Sequence, residues 1–240
     1  MKFTNYMLSF LILISFSAGQ ESRKEIPQKL FGGLKYSATD KMNHLIFATS
    51  VLTVIGGYQY DQNVKNYALR EGLLSDDLSR AGDLYGGALG HWILWTTILA
   101  HSKLTDEPKN EFWEKIEFSS LALTANALVT YLLKFGIGRE RPNGGDNFSF
   151  PSGHTSHSFT IAAVTNELYG RKIGTLAYCM ATLSAISRVH DNMHYLSDII
   201  IGAGIGTIIG RGFSIQYKKR TKKHVYLLPS KKGVTLAVIF

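Results

Sequence analysis

The sequence predicts an all-α protein, a bundle of about six helices that is followed by a small β-hairpin at the C-terminus. Three observations favour this fold class. The chain has 240 residues, of which 45% are hydrophobic and 18% charged, so it is long and apolar enough to form a full core. Its apolar stretches are rich in Leu, Ala, Met and Ile, which favour helix. The breaks between these stretches carry Gly, Pro, Asn or charged residues.

The first 19 residues have the pattern of a secretory signal peptide. Lys2 precedes an apolar run that ends at Phe16, and three small residues follow it. We expect cleavage after Gly19. The alternative is an uncleaved anchor helix, for which the run is short because a membrane span needs about 20 residues. The sequence therefore predicts an exported protein.

Six apolar stretches follow, and each is predicted to form a helix of the bundle. Helix-start signals precede several of them, such as Asp40 before the first stretch and Asp83 before the second. The mixed polar residues 20–38 are expected to form a lead-in segment. The six stretches are Asn43–Gly57, Gly86–Ala100, Phe118–Phe135, Ser158–Tyr169, Ile173–Ser187 and Ile199–Ile209.

Most of these stretches are short for membrane spans, and only Phe118–Phe135 approaches the required length. Several contain polar residues or glycine, among them His91 and Asn126. We therefore expect the core helices of a soluble or peripheral bundle, with an integral membrane bundle as the alternative. The single cysteine, Cys179, lies in the fifth stretch and is predicted to be a buried small side chain.

The character of the chain changes after Arg211. Five cations occupy six positions between residues 218 and 223, and two apolar runs follow around the turn sequence PSKKG. The second run alternates apolar residues on one face, which predicts a strand, so we expect a hairpin that packs on the bundle. The predicted divisions of the chain are a signal peptide at 1–19, a helical domain at 20–216, and a basic linker with a C-terminal hairpin at 217–240.

Three polar segments stand at predicted helix boundaries. They follow the third stretch, open the fourth, and join the fifth to the sixth. In an up-and-down bundle these connections lie at the same end, so the charged residues on them are expected to converge. Those residues are Lys134, Arg141, His154, Arg188, His194 and Asp198.

The converging cations predict an anion site. Lys134, Arg141 and Arg188 would surround one point; arginine matches phosphate oxygens with two parallel hydrogen bonds, and lysine adds a point charge. Ser152 and Gly153 precede a predicted helix whose free N–H groups and dipole favour an anion. The sequence therefore predicts a cage for a tetrahedral oxyanion.

Two histidines in this cluster are candidates for covalent chemistry. Asp198 follows His194 by four residues, a spacing that places both on one helix face. The carboxylate can accept the Nδ1 proton and leave Nε2 free as a nucleophile. His154, at the start of the opposite helix, can protonate a leaving oxygen. No carboxylates and histidines with metal-ligand spacing stand beside the cage, so we expect no metal and no other cofactor.

The segments KFGIGRERP, PSGH and SRVHDNMHYLSD resemble the three signature segments of the type 2 phosphatidic acid phosphatase superfamily, and every position of the pattern is present. The resemblance covers roughly Asn43–Gln216. It implies a helical bundle and metal-independent hydrolysis of phosphomonoesters through a phosphohistidine. It also implies His194 as the nucleophile, Asp198 as its orienter and His154 as the general acid. The implied phosphate binders are Lys134, Arg141, Ser152, Gly153 and Arg188.

The expected function is an exported phosphatase whose substrates are phosphomonoesters, with lipid phosphates or lipid pyrophosphates as the leading class. The net charge of +8 suits an anionic partner, and we expect an anionic membrane surface rather than nucleic acid. The expected location is the periplasm, in association with the membrane. Two alternatives stay open at this point: a vanadium-dependent haloperoxidase, which the same superfamily includes, and a non-catalytic membrane bundle with a vestigial site.

Overall fold

The computed structural model describes residues 20–221, 224–230 and 233–239. A 3₁₀ turn at Tyr58–Tyr60 leads into the third helix, and a π-helical segment at Tyr85–Leu89 joins the fourth to the fifth. The helices in the described residues are α1 (Gln20–Thr39), α2 (Lys41–Gly57), α3 (Asp61–Glu71), α4 (Asp76–Leu84), α5 (Gly90–Leu104), α6 (Lys109–Ile137), α7 (Gly153–His190) and α8 (Leu196–Thr221).

The all-α prediction is confirmed, since all six predicted stretches fall in these helical segments. Strands β1 (His224–Ser230) and β2 (Gly233–Ile239) follow α8 and pair antiparallel. The predicted C-terminal hairpin corresponds to these strands, and its packing on the bundle stays a prediction. The predicted signal peptide lies outside the described residues.

Two local predictions are wrong. The lead-in at residues 20–38 is helical, because tertiary packing holds α1 on α8: the ring of Phe213 lies where a side chain at Gly33 would stand. Asp83 does not start a helix but lies in the last turn of α4. Asp40 does cap α2, since its carboxylate accepts the Asn43 N–H at 3.1 Å.

Helix α7 is two antiparallel helices joined at Gly170. This glycine has φ +75° and ψ −178°, a conformation that interrupts the helix. The rings of Phe159 and Tyr178 lie 5.9 Å apart, although 19 residues of straight helix would separate them by about 28 Å. The break between the fourth and fifth predicted stretches is therefore a reversal of the chain, and it returns the end of α7 to the level of its beginning.

Helices α7 and α8 pack with their backbones in close approach, because glycines recur every four residues along α8. A Cβ atom at Gly202 would stand 2.8 Å from the carbonyl oxygen of Ser152, and one at Gly206 would stand 2.1 Å from that of Ser156. Gly210 meets the next turn of α7 in the same way. This stripe sets the first turn of α8 beside the start of α7, where the predicted site residues are found.

Replacing Gly206 by alanine should destabilise the protein by about 1–3 kcal/mol, because the added methyl group forces the two helices apart. Gly56→Ala is the matched control: a Cβ atom there meets nothing within 4 Å, and alanine is the better helix former. The free energy of unfolding of both variants can be compared in detergent. Equal stability of the two variants would contradict the close packing.

A large apolar surface stays exposed on the described bundle. Leu52, Ile55, Leu132 and Leu176 are each more than 60% exposed, and large apolar side chains on other helices are exposed as well. Cys179 is also exposed, so the prediction that it is buried is wrong. The surface around the core cluster of α5, α6, α7 and α8 is therefore apolar rather than polar.

Two helices are longer than their apolar stretches predicted. Helix α6 has 29 residues and α8 has 26, and by length and composition both could cross a membrane. Both helices include the charged residues that flank their apolar runs. At the C-terminal end of α8, Lys218 pairs with Glu167 and Arg220 with Glu25, so part of the predicted basic linker belongs to the bundle.

Candidate active site

The candidate site lies where the ends of α6 and α7 meet the beginnings of α7 and α8. Helix α6 ends at Ile137 and is capped by Gly138, which adopts a left-handed conformation with φ 62° and donates its N–H to the carbonyl of Lys134. The loop that follows returns to Ser152, and the Ser152 N–H donates to the Asp198 carbonyl at 3.1 Å. The convergence predicted from the helix boundaries is thus present.

His194 lies in the short loop before α8 and is almost fully buried. Its main-chain N–H donates to the carbonyl of Arg188 at 3.1 Å. On its ring, Nε2 lies 3.2 Å from Nη1 of Arg141, and Nδ1 lies 3.6 Å from Oδ2 of Asp198. Because a guanidinium can only donate, Nε2 must be the acceptor and the ring proton stands on Nδ1, toward the carboxylate. The lone pair of Nε2 therefore points into the cage.

The environment of His194 favours its neutral form. Burial lowers the pKa of the imidazole to about 4, and the positive charges of Lys134 and Arg141 lower it as well, against the raising effect of Asp198. An imidazole in water has a pKa near 6.5. His194 is therefore unprotonated, as a nucleophile must be, even in mildly acidic solution.

We expect His194 to stay neutral at pH 5.5, where an imidazole with an ordinary pKa would be about nine-tenths protonated. Its folded pKa lies below the unfolded value, so its contribution to stability is present above about pH 6.5 and declines as the pH falls toward 4. Nitrogen NMR of histidine-labelled protein can measure the protonation, with assignment from His194→Ala. A titration midpoint near 6.5 would contradict the buried geometry.

Asp198 is fully buried and accepts hydrogen bonds from three donors, which fix it beside His194. Its Oδ2 accepts Ser149 Oγ–H at 2.5 Å and the Tyr195 N–H at 2.8 Å. Its Oδ1 accepts Arg139 Nη1–H at 2.6 Å. The fourth contact is the Nδ1 of His194, slightly beyond hydrogen-bonding distance.

A second carboxylate, which the sequence did not indicate, supports this arrangement. Arg139 donates through Nη2 to Asp61 at 2.8 Å, and Asp61 accepts both the N–H and the hydroxyl of Ser197. The Arg139 guanidinium lies 4.1 Å from the centroid of the Tyr195 ring and 5.1 Å from that of Tyr58. Arg139 thus connects the 3₁₀ turn and α3 to the buried carboxylate of the site.

Two of the three predicted cations, Arg141 and Lys134, lie near His194 and the start of α7. Arg141 contacts His194, and its Nε donates to Asp146 at 2.6 Å. Lys134 is buried, hydrogen-bonded to the carbonyl of Phe148, and its Cε would lie 3.8 Å from a Cβ atom at Gly153. These positions put the ammonium group beside the N-terminus of α7.

The N-terminus of α7 contains the two remaining predicted binders. The hydroxyl of Ser152 caps the helix, accepting the Thr155 N–H at 3.4 Å and its hydroxyl at 3.0 Å. Gly153 is the first residue of the helix. Phosphate binding by Ser152 and Gly153 stays a prediction.

His154, the predicted acid, lies in the first turn of α7 and faces Asp83 of α4. Its Nε2 lies 3.2 Å from Oδ1 of Asp83, and the same oxygen lies 2.8 Å from Nη1 of Arg188. Arg188 is buried and also pairs with Asp191. The structure therefore brings together every predicted site residue, and adds Arg139, Asp61, Asp83 and Ser149 to them.

A family model matches part of the chain. Residues 118–222, which contain all three signature segments, match the family model described as PAP2 superfamily. The resemblance predicted from those segments is thus confirmed over these residues. Within this PAP2 region lie α7, α8, most of α6 and the loop between α6 and α7, so the family match covers the predicted nucleophile, acid and cations.

The PAP2 relatives share parts of the chain. Over 80 residues it is 36% identical to the lipid A 1-phosphatase of Porphyromonas gingivalis, covering 32% of this chain and 18% of that protein. Over 75 residues it is 39% identical to lipid phosphate phosphatase 1 of Arabidopsis thaliana, covering 25% and 23%. The matches thus span less than a quarter of either relative.

A solved structure matches more of the chain. The crystal structure of Aquifex aeolicus LpxE superimposes with a TM-score of 0.52 at 25% identity, and the match covers 66% of this chain and 94% of that one. The helical bundle is therefore shared with that structure beyond the signature segments.

Proposed function

We propose that this protein hydrolyses phosphomonoesters through a covalent phosphohistidine at His194. The observation that carries the proposal is the buried neutral imidazole whose Nε2 lone pair faces the guanidinium of Arg141. A nucleophile beside a fixed cation suits attack on an anionic phosphorus centre, since the cation neutralises the charge that otherwise repels the attacking group.

The proposed reaction has two steps. Nε2 of His194 forms a bond to phosphorus while the bond from phosphorus to the leaving oxygen breaks, and His154 transfers a proton to that oxygen. A water molecule then attacks phosphorus, gives its proton to His154 and displaces His194. The products are an alcohol and inorganic phosphate, and both histidines return to their starting states. Asp198 accepts a hydrogen bond from Nδ1 as positive charge develops on the His194 ring.

The proposed phosphate site uses fixed groups. Lys134, Arg141 and Arg188 would bind the non-bridging oxygens, and Ser152 and Gly153 would present the N–H groups at the start of α7. Because the lysine and both arginines are held by hydrogen bonds before substrate arrives, little reorganisation is needed at the transition state.

We infer that the substrates are lipid phosphates. An apolar groove of about 590 Å³ runs along α8 from Ile201, one turn after Asp198, to Ile209, about 12 Å further along the helix. Leu133, next to Lys134, and Phe150, next to Ser149, also line the groove. An acyl chain in this groove would leave its phosphate near the cage. The relatives named as lipid A and lipid phosphate phosphatases support the same class.

We infer further that the protein is exported and embedded in a membrane. Soluble monomers rarely expose contiguous apolar patches larger than a few hundred Å², whereas apolar side chains on α1 to α7 are exposed here. Helices α6 and α8 are long enough to cross a bilayer. These features favour the integral alternative over the peripheral bundle, and the cage would lie at the membrane–water boundary.

Phosphate release from a panel of soluble and lipid phosphomonoesters tests the activity. We expect release from a generic aryl phosphate and from phosphatidic acid, inhibition by vanadate, and no effect of a chelator. Release that is lost on chelation and restored by a divalent ion would contradict the mechanism. Oxidation of a halide by the vanadate-loaded protein without phosphatase activity would support the haloperoxidase alternative. The absence of both reactions would support a vestigial site.

A pair of neighbouring tryptophan substitutions tests the groove. Val51 lines the groove on α2, and Leu52, on the same helix, is 67% exposed. We expect Val51→Trp to lower kcat/KM for a long-chain lipid phosphate while leaving an aryl phosphate unaffected. Leu52→Trp, the matched control, should change neither. Equal effects of Val51→Trp on both substrates would contradict the lipid site.

Fractionation tests the membrane proposal. We expect the protein to stay in the membrane through high salt and alkaline carbonate and to leave only with detergent. Extraction by high salt alone would restore the peripheral interpretation, in which the cations near residue 220 bind an anionic surface.

A further inference from the structure

Asp83 is an acidic side chain inside a cage of cations, and none of the three signature segments contains it. It lies near the end of α4, and its side chain is 45% exposed. A single oxygen, Oδ1, lies 3.2 Å from Nε2 of His154 and 2.8 Å from Nη1 of Arg188. The carboxylate therefore occupies the point at which the predicted acid and a predicted phosphate binder meet.

The backbone around Asp83 is held against both partners. Ser79, one turn earlier, donates its hydroxyl to Asp191 at 2.7 Å, and Asp191 in turn pairs with Arg188. Gly82 packs on α7 so closely that a Cβ atom would stand 2.8 Å from the Leu183 carbonyl oxygen. Helix α4 is thus fixed on the second half of α7, which leaves Asp83 little freedom in where its carboxylate lies.

The residues after Asp83 form the wall behind His154. A Cβ atom at Gly86 would stand 2.9 Å from the Cβ of His154, and one at Gly87 would stand 3.4 Å from its Nε2. These glycines lie in the π-helical segment, where Gly87 has non-helical angles. The segment 83–87 therefore both encloses the His154 ring and supplies its acceptor.

We propose that Asp83 is a positioning residue for the general acid, an inference that rests on the proposed function. An imidazole nitrogen bonded to a carboxylate is a donor, so Nε2 carries a proton and donates to Oδ1 of Asp83, beside the Arg188 guanidinium. When substrate binds, the leaving oxygen replaces Oδ1 as the acceptor and takes the proton from a ring that Asp83 has already oriented. Asp83 thus acts through the orientation of His154 and does not itself touch phosphorus.

The proposal makes a prediction about leaving groups. Alkoxide is a poor leaving group that needs protonation, whereas 4-nitrophenolate departs without it. A misdirected acid should therefore slow hydrolysis of an alkyl phosphate and leave that of 4-nitrophenyl phosphate almost unchanged. We expect Asp83→Ala to lower kcat/KM for the alkyl phosphate by roughly 10-fold or more, part of the roughly 10²- to 10⁴-fold that general acid catalysis contributes.

Conservative and matched variants separate orientation from other effects. In Asp83→Asn the amide oxygen can still accept from Nε2, so the loss should be smaller than in Asp83→Ala. Asp77→Ala, which removes an exposed carboxylate from the same helix, should change neither substrate. Both variants at position 83 should keep the wild-type thermal transition in detergent, because the side chain is half exposed.

The deciding experiment is a double-mutant cycle between Asp83→Ala and His154→Ala, measured with both substrates. If Asp83 acts through His154, Asp83→Ala should lower kcat/KM no further in a protein that already carries His154→Ala. Additive losses, or equal losses for both leaving groups, would overturn the assignment. Inhibition by inorganic phosphate that is tenfold weaker in Asp83→Ala than in the wild-type protein would also overturn the assignment, because it would place the role of Asp83 in phosphate binding. Absence of phosphatase activity in the wild-type protein would instead refute the proposed function.

Discussion

Replacing His194 by alanine should lower kcat by roughly 10⁴- to 10⁶-fold, the scale on which enzymes lose activity when a nucleophile or its base is removed. The reason is that Nε2 of His194 lies beside the guanidinium of Arg141, which would bind the oxygens of the phosphate under attack. No other nucleophile among the described residues is proposed at this position. The residual rate would come from the cations alone. Phosphate release from an aryl phosphate measures the loss.

The matched control is His101→Ala, because His101 is exposed in the last turn of α5, away from the site. This variant should keep wild-type activity. Asp198→Asn should cost less than His194→Ala, since it weakens the orientation of the imidazole and leaves the nucleophile in place. Retention of full activity in His194→Ala would refute covalent catalysis at this residue.

Arg141→Ala should lower kcat by roughly 10²- to 10³-fold, the loss expected when one fixed donor to a developing anion is removed. The Arg141 guanidinium contacts Nε2 of His194 at 3.2 Å and is held by Asp146 and the carbonyl of Met193. It is therefore positioned to contact both the nucleophile and the transferred phosphoryl group. Steady-state kinetics with an aryl phosphate measure the effect.

Two further variants sharpen this prediction. Arg141→Lys should be intermediate, because lysine restores the charge without the planar fork. Arg70→Ala removes the same charge from an exposed position on α3 and should leave kcat unchanged. If Arg70→Ala and Arg141→Ala lowered kcat equally, the effect would come from net charge and the cage would not be the binding site.

The position of the site could be predicted because chain direction and helix boundaries determine it. Lys134 ends one helix, Ser152 caps the next, and the reversal at Gly170 returns the chain to the same level. Up-and-down connectivity alone then brings the charged residues together. The glycine stripe on α8 was visible in the sequence, but its close approach to α7 became evident only in the structure.

The supporting residues could not be predicted in the same way. Asp61 and Asp83 lie on short helices whose sequence spacing to the site carries no information, and they reach it only through tertiary packing. Arg139 is different, since it lies inside the first signature segment, between Lys134 and Arg141. The residues alone do not distinguish a phosphate binder from a partner of Asp198 at this position.

Burial was predicted less well than the site. The predictions of a buried Cys179 and of a soluble or peripheral bundle both require apolar helix side chains to face a core. In the structure, α5 and α6 carry both buried and exposed apolar side chains, and those of α2 are exposed or half-buried. A helix that is apolar all round gives no periodic signal that separates a core from a bilayer.

The most direct test of the central claim is to trap the phosphoenzyme. The protein is mixed with a substrate labelled at phosphorus, quenched within one turnover, and digested to locate the label. The account predicts an acid-labile phosphoramidate on Nε2 of His194 that forms at a rate compatible with kcat and is absent from His194→Ala. Label on any other residue, or turnover with no labelled protein at any time, would contradict it.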